Sequence, residues 1–264
     1  MDIQIRLETP ADPRAVEELT REAFWGSMSH PTCDGEHLLV HKLRKLPCFI
    51  PSLSFVAETE GELAGHIIYS TAKIVTPEND SLEVLTFGPL SVLPKYKGKG
   101  VGSALTRYSV EKAKKLCFRA IVILGHPDYY PRFGFLRGSD FGITSADGAS
   151  FDALMVIPLY DGALNSISGK FIEDPAFQMS AEEIEAFDKT FPPKDPVNLT
   201  PIDVLTQKLS PSAAREIERQ NIEVLAKLQE VSGAEIKRLS GIKPDDLEVI
   251  NQVLKEYGYA GKIF

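Results

Sequence analysis

Apolar and polar residues follow one another in short periodic segments over residues 1–178 of this 264-residue chain. Alternating or continuous apolar stretches predict strands at 3–7, 53–59, 63–75, 82–93, 120–124 and 151–159. The 151–159 stretch is expected to be the last strand of the sheet. Asp12 before Pro13 predicts the start of a helix, because Asp is a common N-cap and proline fits the first helical position. A second short helix is predicted at 36–45.

The segment 81–103 organises these elements. Its apolar strand ends at Pro94, and a glycine-spaced loop, Lys97 to Gly102, leads directly into a helical pattern. The first turn of a helix carries unpaired N–H groups and the positive end of the dipole, and glycines let an anion approach the backbone. Lys95, Lys97 and Lys99 add positive charge at the same place. The segment predicts a phosphate-binding site, although a tight turn with solvated lysines is the simpler interpretation of the loop alone.

The spacing of the glycines limits which phosphate-containing ligands the loop is expected to bind. It is G-x-G-x-G, so neither the dinucleotide fingerprint G-x-G-x-x-G nor a G-x-x-x-x-G-K-[ST] loop is present. Residues 92–105, VLPKYKGKGVGSAL, closely resemble the acetyl-coenzyme A loop of the GNAT superfamily of N-acetyltransferases. In that family the loop has the pattern [Q/R]-x-x-G-x-[G/A], and its amides hold the coenzyme pyrophosphate. Lys97 stands where Gln or Arg is usual, which preserves the positive charge.

Three further stretches carry the same resemblance. The string FVAETEGELAGHIIY at 55–69 is similar to the central hairpin of the family, and Tyr130 stands four residues before the Gly134-Phe135 pair, as in a second family signature. The string at 159–177, LYDGALNSISGKFIEDPAF, resembles the tail of the YhbS-like subgroup of predicted acetyltransferases. The resemblance covers residues 1–178 and implies an α/β GNAT fold, with a mixed, mostly antiparallel central sheet flanked by helices.

The resemblance also implies which backbone groups bind acetyl-CoA. Amides near Leu90, Ser91 and Val92 are expected to hold the pantetheine arm, beside a strand bulge that Gly88-Pro89 favours. The pyrophosphate is expected to bind the amides of the loop and first helical turn, which belong to Lys97, Gly98, Lys99, Gly100, Val101, Gly102 and Ser103.

Tyr130 is the expected general acid, which gives a proton to the leaving thiolate. An ordinary phenol has a pKa of about 10, so it is protonated at pH 7 and able to donate. The simpler interpretation of Tyr130 is aromatic packing against Phe133 and Phe135. Tyr129 fits the family spacing less well.

The general base stays unassigned. Many family members carry a Glu on the strand before the coenzyme loop, but the corresponding positions here are Thr86, Phe87 and Gly88. Glu83, His126 and a chain of water molecules remain as alternatives.

Composition and charge limit the partners. The chain has 43% hydrophobic and 25% charged residues, a net charge of −8 and a pI near 5.3. These values argue against a general nucleic-acid or anionic-membrane binder and weakly favour a cationic acceptor. Three cysteines without a C-x-x-C pair predict reduced thiols and a cytoplasmic protein. We expect no signal peptide and no membrane span.

The polar loop at 25–36 and the helix after it are expected to cover the acceptor side of the cleft. They contain Trp25, His30, Cys33, Glu36, His37 and His41. Two of these histidines have an i, i+4 spacing that can bind metal, but no H-E-x-x-H pattern accompanies them. We therefore expect no metal. His66 is expected to be a half-buried strand histidine.

The composition changes after the GNAT-like part. We predict a GNAT domain at 1–178, a proline-rich linker at 179–200 and a helical extension at 201–264. One helix is expected to open at Pro211 with an apolar stripe that reaches Leu228, and two shorter helices follow. The acidic last helix disfavours DNA binding. Interdomain or dimer packing suits the extension better, and a homodimer is left open.

The leading hypothesis is an N-acetyltransferase that moves an acetyl group from acetyl-CoA to a primary amine of a small molecule or peptide, by direct attack in a ternary complex. A second hypothesis is a catalytically weak acyl-CoA-binding sensor or scaffold whose helical tail contacts a partner. A third is a nucleotide-dependent enzyme that uses the same loop. The sequence does not name the acceptor.

Overall fold

The computed structural model describes residues 1–26, 31–197, 199–220, 222–230, 236 and 239–257. The chain forms two compact units. The first contains Met1–Phe24 and Cys33–Pro193, and the second contains Trp25–Thr32 and Lys194–Phe264.

Nine strands of the described residues form one mixed sheet in the first unit, with the order β1-β2-β3-β4-β5-β8-β6, while β9 pairs with β3 and β7. Their bounds are β1 Gln4–Leu7, β2 Phe55–Thr59, β3 Glu62–Val75, β4 Ser81–Val92, β5 Ala120–Leu124, β6 Leu136–Arg137, β7 Ile143–Thr144, β8 Leu154–Pro158 and β9 Gly169–Ile172. Most neighbours are antiparallel, and β4 with β5 and β7 with β9 are parallel. The predicted fold class is confirmed.

Helices cover both faces of this sheet. In the first unit they are α1 Pro13–Phe24, α2 Glu36–Leu43, α3 Val101–Lys115 and α4 Ala181–Asp188. The start of α1 lies where Asp12-Pro13 predicts it, and the carbonyl of Asp12 accepts from the N–H of Val16 at 2.9 Å. Its carboxylate bonds to Arg6 and to the backbone N–H of Thr9 instead, and the Arg6 guanidinium holds the pKa of Asp12 far below its usual range.

Alternate residues of β3 face opposite sides of the sheet, as the strand period requires. Ile67 and Tyr69 pack with Leu105 of α3 in one buried cluster, and we call this side the α3 face. Ile68 packs with Val16 and residues of α2 in another cluster, and we call that side the α1/α2 face. The long strands β3 and β4 therefore support the helices on both faces of the sheet.

Two predictions about the first unit are wrong. The 151–159 stretch is not the last strand, because β9 follows it and pairs with β3 through Ile74↔Phe171. Of the four residues of β9 only Phe171 is buried, so the strand has little apolar signal and depends on pairing with distant β3. The segment predicted as linker contains α4, whose N-terminus has a capping box between Ser180 and Glu183.

The second unit has its own core. Its described helices are α5 Asp203–Thr206, α6 Pro211–Arg219, α7 Leu225–Glu230 and α8 Pro244–Glu256. Their buried residues include Leu205, Ile217, Leu225, Leu228 and Ile250. The predicted single stripe to Leu228 is wrong, because α6 ends at Arg219 and the chain makes a bridge between Val224 and Pro201 before α7 begins. The start predicted for the next helix, at Ser232-Gly233, lies outside the described residues.

Trp25 belongs to this second unit. Its indole N–H donates to the carbonyl of Asp195 at 3.1 Å, and the Lys194 ammonium lies 5.0 Å from the centre of its ring. Within the described parts of the chain, no helix is both long and apolar enough to cross a membrane.

Candidate acetyl-coenzyme A site

The strands β4 and β5 separate in the middle of the sheet. Their register contains the single pair Leu85↔Ile121, whereas β4 continues to pair with β3 as far as Val92. The carboxyl-terminal half of β4 therefore has an edge toward β5 that no described strand covers. The register with β3 also shifts between Ile67 and Tyr69, which agrees with the bulge predicted at Gly88-Pro89. An opening of this kind exposes backbone N–H and C=O groups to a ligand.

The first turn of α3 lies at the same end of β4. Gly100 is the N-cap residue and has φ 93°, a left-handed conformation that glycine adopts without strain. The first N–H to bond back to the start of the helix is that of Ala104, at 2.9 Å from the Gly100 carbonyl oxygen. The N–H groups of Val101, Gly102 and Ser103 precede this bond, so they have no partner within the helix. Apart from the residues directly adjacent in the chain, no described residue has an atom within 4 Å of where a side chain would begin at Gly98 or Gly100.

The three loop lysines differ in their surroundings. The Lys95 ammonium lies 2.5 Å from a Glu62 carboxylate oxygen. Lys97 donates to the carbonyl of Ala23 at the end of α1, at 3.1 Å, and so connects the loop to that helix. Lys99 lies 5.8 Å from the centre of the Tyr96 ring, and the described contacts give it no carboxylate. Of the three, Lys99 is the best placed to attract a phosphate.

The predicted pantetheine-binding residues alternate between the two faces. Leu90 and Val92 pack against the cluster on the α3 face. Ser91 points to the other side, where its hydroxyl lies 3.0 Å from that of Thr20 on α1. This pair of hydroxyls is buried and holds α1 on the strand whose edge is open.

Tyr130 lies in a 3-10 turn, Tyr130–Phe133, that follows β5. Its ring packs against Phe87 of β4 and Phe135, with centroid distances of 5.7 and 5.5 Å. A side chain at Gly125 would collide with this ring, so glycine at that position permits the placement. Burial raises the pKa of the Tyr130 phenol above its usual value, which keeps the hydroxyl protonated at neutral pH.

Tyr129 is a second candidate that the sequence spacing disfavoured. Its hydroxyl oxygen lies 3.0 Å from the position that a Cβ on Gly102 would take, and Leu90 and Val92 lie within 4 Å of that same position. The hydroxyl of Tyr129 therefore lies at the first turn of α3, beside the predicted pantetheine residues. In the sequence, the signal for this second candidate was that Tyr129 and Tyr130 are adjacent.

The two side chains considered as general base lie in exposed positions. Glu83 pairs with Lys73 across β4 and β3 and is exposed. The side chain of His126 is 63% exposed, and its Nδ1 accepts from the N–H of Asp128 at 3.2 Å. Thr86 is buried and pairs with Ser70. These positions leave the base unassigned.

The histidines of α2 have structural contacts. His37 is fully buried between the rings of Phe187 and Phe191, and burial lowers its pKa to about 4. His41 lies 2.8 Å from a Glu17 carboxylate oxygen. Cys33 is buried, which raises the pKa of its thiol to about 12. His30 lies outside the described residues.

His66 is fully buried on β3, more so than expected, and lies 3.2 Å from both Glu8 and Ser54. In the described parts of the chain, no group of three or more His, Cys, Asp or Glu residues is arranged to hold a metal ion.

The diverging strands, the glycine loop at the start of α3 and the Tyr-x-x-x-Gly-Phe turn are the features expected of an acetyltransferase of the GNAT class. A comparison with family models agrees, because residues 18–135 match the acetyltransferase (GNAT) family. The family match, the N-acetyltransferase relatives and the CoA-bound structural neighbours together support an acetyl-CoA-dependent acetyltransferase.

Among curated proteins, the chain is 28% identical over 165 residues to the "Uncharacterized N-acetyltransferase YhbS" of Escherichia coli K12, an alignment that covers 62% of this chain and 92% of that one. Among solved structures, it is similar to Escherichia coli YhbS in complex with CoA, with a TM-score of 0.58, 28% identity and coverage of 66% of this chain and 91% of that one. It is also similar to a GNAT family acetyltransferase from Brucella melitensis in complex with acetyl-CoA, with a TM-score of 0.54, 26% identity and coverage of 67% and 99%.

Proposed function

We propose that this protein transfers an acetyl group from acetyl-CoA to a primary amine of a small molecule or peptide, by direct attack within a ternary complex. The observation that carries the proposal is the position of the open edge of β4 next to the first turn of α3. The backbone amides at the open edge of β4 can hold the pantetheine arm there, and those of the first turn of α3 can hold the pyrophosphate. Two relatives with this fold, from Escherichia coli and Brucella melitensis, were crystallised with CoA and acetyl-CoA.

The binding groups on the coenzyme side belong mainly to the backbone. Amides of Leu90 and Val92 lie on the strand whose edge is open, and amides of Val101, Gly102 and Ser103 lie at the positive end of the α3 dipole. Lys99 adds a positive charge to the same end. Acetyl-CoA supplies an acyl group that is already activated as a thioester. The protein therefore has to orient the carbonyl, exclude water and move protons.

Tyr130 acts as the general acid in this proposal. The amine nitrogen forms a bond to the carbonyl carbon, the carbon–sulfur bond breaks, and the phenol of Tyr130 gives its proton to the departing sulfur. Its raised pKa supports the role, because the hydroxyl is protonated throughout the neutral range. The amine loses its proton to a base. This base stays unassigned, because Glu83 and His126 both lie in exposed positions.

A sensor or scaffold is the second candidate. The observation that favours it is the residue set at the middle of β4, where Thr86, Phe87 and Gly88 supply no carboxylate. A protein of this kind binds acyl-CoA through the same amides and transfers the acyl group slowly. The helical second unit then contacts a partner.

The deciding experiment incubates the protein with acetyl-CoA and a panel of amines and follows free thiol release, with mass spectrometry of the product. We expect release that depends on the amine, together with CoA binding in calorimetry. CoA binding without release above that of a Tyr130→Phe variant would favour the sensor. Tighter binding of ATP or NAD than of CoA would instead support a nucleotide-dependent enzyme.

A further inference from the structure

Glu173 follows directly after β9 and lies on the α1/α2 face. The β9–β3 register pairs Phe171 with Ile74 and Ile172 with Lys73. Continued by one residue, it brings Glu173 opposite Ala72. Phe171, two residues earlier, is buried in one cluster with Ile74 and Ala72. Because alternate strand residues share a face, Glu173 points to the same side as these residues.

Among the described residues, no group pairs with the carboxylate of Glu173. The described contacts include no hydrogen bond and no ion pair for it, although the side chain is half-buried. Burial by itself raises the pKa of this carboxyl group above its usual value. A carboxylate that is partly removed from water without a partner destabilises the folded protein. A carboxyl group whose pKa is shifted by burial is therefore a candidate for a functional site.

Two hydroxyls, those of Ser70 and Thr86, lie on the same face of the sheet. Ser70 is two residues from Ala72, and its hydroxyl is buried without a hydrogen-bond partner among the described atoms. Thr86 lies opposite Ser70 on β4. These polar groups separate the apolar cluster under α1 and α2 from the apolar cluster beside β7 and β9. A polar strip between two apolar walls is typical of a small-molecule site.

Phe177 connects this strip to the opening of the sheet. One edge atom of its ring lies 3.8 Å from the position that a Cβ on Gly88 would take. Gly88 lies at the bulge of β4, beyond the point where β4 and β5 separate. The segment 173–177 therefore runs from the edge of β3 to the middle of β4. It approaches the opening from the side opposite to α3.

We propose that Glu173, with the hydroxyls of Ser70 and Thr86 and the ring of Phe177, forms the acceptor site, and that its carboxylate binds the ammonium group of a cationic amine. The inference rests on the proposed acetyl transfer and deepens it by naming the acceptor side. Glu173 is a substrate-binding residue in this assignment. The net charge of −8 attracts the same class of acceptor at long range.

The test uses cadaverine as the cationic probe and aniline, which is uncharged at neutral pH, as the neutral probe. Glu173→Gln is expected to raise the KM for cadaverine by about 10- to 100-fold, because a hydrogen-bonded charge pair is lost. The KM for aniline and the Kd for CoA are expected to stay within about twofold. The matched control is Glu78→Gln, the same chemical change on the exposed turn between β3 and β4, which should alter none of these values.

Two further readouts separate binding from a structural role. The wild-type KM for cadaverine should rise as the pH falls through the raised pKa of Glu173, because the carboxylate then becomes neutral, and Glu173→Gln should lack this dependence. The variant should also unfold at a temperature roughly 2–4 °C higher, since an unpaired charge is removed. A lower unfolding temperature would assign Glu173 a structural role.

Direct binding keeps the inference independent of turnover. Calorimetry of cadaverine with the CoA-bound protein should show binding that Glu173→Gln weakens by the same factor. Equal cadaverine affinity in wild type and variant would overturn the acceptor site even if acetyl transfer occurs. Retained, Glu173-dependent cadaverine binding without thiol release would overturn the proposed transferase and leave the site in place.

Discussion

The two faces of β4 differ in the part of the chain that supplies their proposed binding groups. On the α3 face, the groups are backbone amides from two adjacent stretches, the end of β4 and the first turn of α3. On the α1/α2 face, they are side chains from β3, β4 and the segment after β9, which are far apart in the sequence. A site formed by backbone amides can therefore be recognised from a short sequence motif. A site formed by side chains depends on which strands pair in the folded protein.

The largest expected effect tests the proton donor on the α3 face. Tyr130→Phe should lower kcat by roughly 100- to 1,000-fold and leave the Kd for CoA nearly unchanged, because one acid–base group is removed. Tyr129→Phe is the matched control, with the same change one residue earlier. If Tyr129→Phe loses more activity than Tyr130→Phe, the hydroxyl beside Gly102 is the donor, and the assignment from sequence spacing is wrong. Steady-state kinetics of thiol release measures both.

A second prediction tests whether the coenzyme side depends on backbone geometry. Gly100→Val should weaken CoA binding by about 30- to 100-fold, because a β-branched residue is strained at φ 93° and moves the first turn of α3. Gly148→Val carries the same strain at φ 89° in a remote turn, also with no described atom nearby. Both variants should lose similar stability in urea unfolding. Equal CoA affinity in the two variants would contradict the role of the loop.

A third prediction concerns α2 and α4, which cover the α1/α2 face. His37 is neutral when folded, with a pKa of about 4, while the unfolded chain binds a proton near pH 6.5. The contribution of His37 to stability is therefore present above pH 6.5 and is lost as the pH falls toward 4. From pH 7.5 to 4.5, wild type should lose about 2 kcal/mol more than His37→Gln. Urea unfolding at both pH values measures the difference, and an equal loss would show that His37 does not stay neutral.

The smallest effect separates the three loop lysines. Lys99→Gln should weaken CoA binding by about fivefold, as expected for one exposed charge near a phosphate, and the effect should shrink at high salt. Lys95→Gln should change affinity by less than about twofold, because its ammonium is paired with Glu62. Calorimetry at two salt concentrations compares the variants. A larger effect of Lys95→Gln would mean that its ion pair opens when the coenzyme binds.

Much of the α3 face could be predicted from the sequence. The strand that ends at Pro94, the glycine at the N-cap of α3 and the buried strand at 120–124 all have local signals, and each lies where it was predicted. The choice between Tyr129 and Tyr130 depends on tertiary structure, since ring packing and the contact with Gly102 depend on how the turn after β5 folds back on β4.

What the sequence by itself determined is the set of elements whose signals are local: hydrophobic periodicity, the Asp12-Pro13 helix start, and a glycine loop placed between a strand and a helix. The tertiary structure alone decided that β9 extends the edge of β3, that Lys95 is neutralised by Glu62, and that Glu173 shares a face with Ser70. The physical reason is that these contacts join residues far apart in the chain. Their free energy appears only when the strands pair and bury polar groups together.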